Sequence, residues 1–196
     1  MSSPQKGAEA MKNLRERFED CYTAVPNGSG FKMKYIYYAP WYVWDMPEKS
    51  LRRQKCAMLL CSIAGLCISL LSAVQRSALN TAPVAFLLFA LALCCHVMEF
   101  RGLFQFLGAR YRTTKMTYED VNRLLLTAPI LRAAFSGALA VMGISAAVTG
   151  GMISFAAALG YGLSAASAVW VYRLYSRISV TIEENDSLER YESEFT

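Results

Sequence analysis

Four apolar segments, each long enough to cross a bilayer, constrain this chain more than any other feature. They run from Cys56 to Val74, from Pro83 to about Leu107, from Ile130 to Val148 and from Met152 to Tyr172. A hydrocarbon core roughly 30 Å thick takes about 20 helical residues to cross. Backbone polar groups in lipid must be satisfied within the segment, so each run is expected to be a helix. The expected fold class is an all-α membrane protein of four transmembrane helices with cytoplasmic N- and C-terminal extensions. This divides the chain into a leader (1–55), a transmembrane domain (56–172) containing a cytoplasmic loop (108–129), and an acidic tail (173–196).

Orientation follows from the Lys and Arg residues near the span ends. Lys49, Arg52, Arg53 and Lys55 precede span one. Arg110, Arg112, Lys115, Arg123 and Arg132 fall between spans two and three, and Arg173 and Arg177 follow span four, whereas the opposite side has Arg76 alone. Both termini are therefore expected in the cytoplasm, at the cell membrane. The net charge of +5 is uneven along the chain. Glu183 to Thr196 carries six acids and one base, leaving 19 bases against 9 acids elsewhere. Topology accounts for that excess, and contact with anionic lipid headgroups is the sharper alternative. No nucleic-acid motif accompanies it, so nucleic-acid binding is not expected. No cysteine falls in an external loop, and no disulfide framework is implied.

Outside the spans, Met11 to Tyr22 reads as a short amphipathic helix ended by Pro26-Asn27-Gly28-Ser29-Gly30. Phe31 to Tyr37 alternates with period two, as do Ile178 to Ile182. The two are expected to pair as a short two-stranded β element, with Lys32 and Lys34 facing Glu183 and Glu184. Tyr38 to Pro47, rich in Trp and Tyr, reads as an interfacial segment. Thr117 is placed to cap a helix bearing Val121, Leu124 and Leu125 on one face.

Lipid gives helices no hydrophobic reason to associate, so small residues at fourfold spacing mark close approach. Gly65 and Ser69 provide such positions in span one and Gly143, Ala147 and Gly151 in span three. Ala156, Gly160, Ser164 and Ala168 provide them in span four. Spans three and four should form a tight antiparallel hairpin through Gly150-Gly151.

The candidate site lies in Cys94-Cys95-His96-Val97-Met98-Glu99. His96 and Glu99, with Arg101 two residues on, form the candidate ligand or ion path, since an ionisable group inside a membrane is by default a functional hypothesis. Glu99 and Arg101 are expected to reach the cytoplasmic interface. Cys61, Cys95, His96 and Met98 supply soft-metal donor types, but adjacent helical cysteines point about 100° apart, so packing is the preferred reading and no metal is assigned. No phosphate loop, zinc-protease signature or hydrolase elbow is present. No cofactor is expected. The expected function is that of a non-enzymatic scaffold or accessory subunit acting through its cytoplasmic face, with membrane lipids and a protein partner or a second copy as its contacts. The alternative is a small oligomeric transporter or channel using a polar path near His96 and Glu99.

Overall fold

The computed structural model describes residues 16, 19–26, 33–77 and 79–187, with the side chains of 26 and 149–151 excepted. The fold is mostly helical, with four long apolar helices and small antiparallel sheets. The chain divides into two compact units. One comprises Met1–Trp44, Arg110–Glu119 and Val180–Thr196, the other Asp45–Ala109 and Asp120–Ser179.

The first unit holds the sheets. Strands β1 (Tyr22–Pro26) and β2 (Met33–Tyr37) pair antiparallel, with Tyr22 opposite Tyr37 and Pro26 opposite Met33. Strand β3 (Trp41–Trp44) is the centre of a second sheet, flanked by β4 (Arg112–Thr113) and β5 (Val180–Glu183). Both expected strands are thus present, but not as partners of each other. Met33–Tyr37 pairs with the strand just before it, Phe31 and Lys32 lying outside the described residues, and Val180–Glu183 pairs with Trp41–Trp44, placing Trp41 opposite Glu183 and Trp44 opposite Val180. Glu183 accordingly forms its ion pair with Arg112, at 2.9 Å.

The aromatic run that reads as an interfacial segment is therefore a sheet centre. Trp44 is 1% exposed and its indole N–H donates to Arg110 O at 3.2 Å, satisfying the one polar atom on a large buried ring. Cys21, Tyr37 and Ala39 form a small core, against which Tyr22, Trp41 and Met116 pack. The Tyr37 hydroxyl donates to Pro40 O at 2.6 Å and accepts from Lys115 N at 2.9 Å. The Asn185 side-chain amide donates to Tyr37 O at 2.8 Å and to Ala39 O at 3.0 Å. Most of the expected amphipathic leader helix lies outside the described residues; its last member, Tyr22, is in β1.

The second unit is helical. Helix α1 (Glu48–Val74) starts after Pro47, whose carbonyl accepts from Leu51 N at 3.0 Å, and Glu48 in the first turn suits the positive end of the helix dipole. Its last carbonyls are collected by Asn80, whose amide donates to Ser72 O and Gln75 O, both at 2.8 Å. Helix α2 (Pro83–Gly108) has proline at its first position, where no N–H is needed. Lys55, 6% exposed, donates from Nζ to Ala109 O at 2.8 Å and covers the Phe106 ring.

Helical backbone then runs from Lys115 to Ser176 as α3. It folds back on itself as two limbs, Lys115–Val148 and Met152–Ser176: Tyr175 reaches Asn122 at 3.3 Å, and Arg132 reaches Ser167 at 3.2 Å. The stretch expected as loop 108–129 is largely the start of the first limb. Its cap is Thr114, which accepts from Thr117 N at 3.4 Å, so Thr117 is the capped residue and not the cap. Val121, Leu124 and Leu125 are buried. A Cβ on Gly102 would stand 2.9 Å from Leu124 Cβ, which shows that this face closes against α2.

Polarity is inverted in this unit. The buried stripe of α1 reads Leu51, Lys55, Met58, Ser62, Gly65, Ser69 and Ser72. The outward positions carry Leu60, Leu71, Val74, Phe86, Val97 and Val141, each at least 66% exposed. All four helices are long and apolar enough to cross a membrane.

Candidate functional site

Polar groups from all four helical segments meet in the interior of the helical unit. Helix α2 brings His96 and Glu99, 1% and 0% exposed, onto one face, as their three-residue spacing dictates. The first limb of α3 brings Arg132, the second limb Ser167, and α1 brings Ser62 and Gly65. Arg132 is fully buried. Its Nη1 lies 2.9 Å from His96 Nδ1 and its Nη2 donates to Ser167 Oγ at 3.2 Å. Its Nε lies 3.1 Å from Glu99 Oε2.

An arginine has donors only, so the histidine nitrogen facing it accepts. The imidazole is therefore neutral in this arrangement, and the charges of Arg132 and Glu99 balance. Removing either member of such a pair would leave a bare buried charge, at a cost of about 3–5 kcal/mol.

Gly65 makes the assembly possible. A Cβ there would overlap Ser167 Oγ and stand 3.0 Å from Arg132 Nη1. The small residue holds space for the guanidinium and the hydroxyl, a more specific role than helix approach.

The two charged partners are held differently. Arg132 is fixed by His96 and Ser167, from two other segments. Both Glu99 oxygens and Arg132 Nε lack a hydrogen bond of good geometry among the described residues. Ser62 Oγ faces the same carboxylate. Glu99 is held by its ion pair with Arg132 and has Ser62 beside it.

Of the expected path residues, His96 and Glu99 converge and Arg101 does not. Arg101 sits on the exposed side of α2. Glu99 does not extend to an interface; it is buried beside Arg132. The base expected near a span end, Arg132, is close to mid-length of its limb, with roughly 24 Å of helix on either side. Among the soft donors, Cys61 and Cys95 lie within electrostatic reach of Arg132, but Met98 is 45% exposed and turns away. Among the described residues no group of three or more His, Cys, Asp or Glu is placed to hold a metal ion.

The small-residue stripe is met at Gly65, Ser69, Gly143, Gly160, Ser164 and Ala168, all buried. Ala147 is half-buried, and Gly151 lies outside the described side chains. Ala156 is exposed: the second limb is rotated so that Ala157 and Ala158 face inward. Across the limbs, a Cβ on Gly143 would stand 2.7 Å from Ala158 Cβ.

A second polar contact lies towards the other end of α1, where Tyr161 OH donates to Asn80 Oδ1 at 3.0 Å. No family model matches the chain, and neither the curated proteins nor the solved structures contain a match.

Proposed function

We propose that the chain is a multi-pass membrane protein, its four helices crossing the cell membrane with both termini in the cytoplasm. On this reading it acts without catalysis as a scaffold or accessory subunit. Two features support insertion. The outward helix faces are apolar while serines, Lys55 and an ion pair turn inward, the arrangement lipid demands. Lys and Arg concentrate beside the connections expected to be cytoplasmic.

The observation that carries the functional reading is the pairing of β3 with both β4 and β5. These strands come from the leader, the connection between α2 and α3, and the tail. Three separate segments thus build one folded surface, and that composite module is the part of the chain suited to a protein partner. Ile182, 60% exposed, leaves an apolar side chain available on it.

The test is purification from native membranes in mild detergent with quantitative composition analysis. A partner should copurify in fixed ratio and be lost in Ile182→Glu, with helix content unchanged. A protein that stays alone and turns over a substrate would refute the reading.

The second reading is an oligomeric transporter or channel, favoured by the charged cluster near mid-length of the helices. Its test is flux into liposomes, compared between wild type, His96→Ala and Glu99→Gln. Equal flux through all three would remove it.

A further inference from the structure

One end of the helical unit is strongly basic. Lys49, Arg52 and Arg53 at the start of α1, and Arg173 and Arg177 at the close of the second limb, are all exposed, whereas the connection between α1 and α2 at the other end has Arg76 alone. These two stretches run antiparallel, side by side. Deeper in the unit, Cβ atoms on Gly65 and Gly160 would meet Ser167 and Ser72. At the basic end the Gln54 side chain donates to Leu174 O, and Asp45 N donates to Ser179 O at 3.0 Å. Those two hydrogen bonds bracket the bases and bring Arg177 level with the stretch from Lys49 to Arg53.

Two acids share this surface. Asp45 accepts from Ser179 Oγ at 3.2 Å, and Glu48 sits in the first turn of α1. Neither neutralises a base: among the described residues Lys49, Arg52, Arg53, Arg173 and Arg177 form no ion pair. Five bases against two acids leave the surface positive, without a counter-ion of its own.

The basic patch ends where apolar surface begins. On α1, Arg53, Leu60 and Leu71 fall on one line, at spacings close to two and five helical turns, and both leucines are exposed. On the second limb the exposed Trp170 and Leu163 lie seven and fourteen residues inward of Arg177. Each arginine thus stands at the head of an exposed apolar strip, with its first large side chain roughly 10 Å below it.

We propose that Arg53 and Arg177 form a headgroup site for an anionic phospholipid, its phosphate between the two guanidinium groups and its acyl chains along the strips headed by Leu60 and Trp170. Guanidinium suits phosphate because it offers paired N–H donors to two oxygens. A soluble phosphate or an acidic peptide would engage the bases and not the strips; an amphiphile engages both. A zwitterionic headgroup would bring its own cation against Lys49 and Arg173. The site presupposes the membrane reading given above, with this end of the unit at the cytoplasmic surface.

The experiment uses the full chain reconstituted in phosphatidylcholine vesicles at about 0.15 M salt. Part of the lipid is replaced by phosphatidylglycerol, and one lipid or the other carries brominated chains, which quench tryptophan on contact. The Trp170 signal is the difference between wild type and Trp170→Phe. One basic residue near the surface contributes about fivefold to anionic-lipid affinity and two about thirtyfold. At matched mole fraction, phosphatidylglycerol should therefore be preferred at Trp170 by between about fivefold and about thirtyfold. Arg53→Gln/Arg177→Gln should bring that ratio close to one. Arg101→Gln/Arg123→Gln removes the same charge from the same end, where Tyr175 meets Asn122 and Asp120 already lies 3.8 Å from Arg123, and should keep the preference. Circular dichroism checks that each variant retains its helix content. No quenching by either brominated lipid would contradict insertion and the site with it. Quenching without preference would overturn the site alone, as would a preference that survives Arg53→Gln/Arg177→Gln or falls equally in Arg101→Gln/Arg123→Gln. Should the first double variant fail to fold, Arg177→Gln alone must lower the ratio.

Discussion

Gly160 and Gly162 lie two residues apart on the second limb of α3, yet replacing each with alanine should move stability in opposite directions. A Cβ on Gly160 would overlap Ser72 Oγ and stand 3.1 Å from Ser72 Cβ. Ser72 cannot turn aside freely, because its hydroxyl is buried and donates to Ile68 O at 2.8 Å. Overpacking of this kind costs about 1–3 kcal/mol. Replacing a helical glycine returns about 0.5–1 kcal/mol, so Gly160→Ala should lose up to about 2.5 kcal/mol net. At Gly162 the nearest atom to an added Cβ is Ala140 Cβ at 3.9 Å, ordinary contact. Gly162→Ala should therefore gain about 0.5–1 kcal/mol. Adding Ser72→Ala to Gly160→Ala removes the overlapping hydroxyl and should recover most of the loss. The assay is reversible unfolding in mixed micelles followed by circular dichroism. Equal shifts for the two glycine variants, or no recovery in the double variant, would refute the packing argument.

Gly160→Leu should be far more damaging than Leu163→Ala, because Leu163 is 58% exposed; thermal unfolding in detergent compares them. Arg132→Gln, which leaves Glu99 as a bare buried charge, should cost about 3–5 kcal/mol, and Arg132→Gln/Glu99→Gln should cost less than the single change, as unfolding in mixed micelles will show. Burial raises the Tyr37 phenol above the usual tyrosine value, outweighing the Lys115 amide, which acts in the other direction. Its contribution to the sheet-bearing unit is therefore complete below about pH 10 and is lost as pH rises through the raised value. Near-ultraviolet circular dichroism should show that alkaline loss in wild type and not in Tyr37→Phe.

The helices were legible in the sequence because length and apolar content suffice to define them, and α2 matches its expected bounds almost to the residue. The site was half legible. His96 and Glu99 share a face by helical spacing alone, but Arg132 was hidden because starting span three at Ile130 put it at a span end, whereas the helix begins at Lys115. The available signal was Val121, Leu124, Leu125 and Ala128, whose three- and four-residue spacing continues directly to Arg132. Extending that stripe would have moved the arginine from the span end towards its centre. Strand partners were not legible. Period-two alternation identifies Met33–Tyr37 and Val180–Glu183 as strands but carries no information on which neighbour each one meets. The true centre of the second sheet, Trp41–Trp44, has aromatic residues on both faces and so shows no alternation.

Sidedness tests the central claim, that four helices cross a membrane and gather the leader, the connection between α2 and α3, and the tail on one side. In a cysteine-free background, Arg76→Cys and Arg112→Cys place single thiols at two exposed positions, one in the connection between α1 and α2 and one in β4. Intact cells are treated with a membrane-impermeant maleimide before and after permeabilisation. Arg76→Cys should label in intact cells and Arg112→Cys only after permeabilisation. Labelling of both positions to the same extent in intact cells would contradict the account.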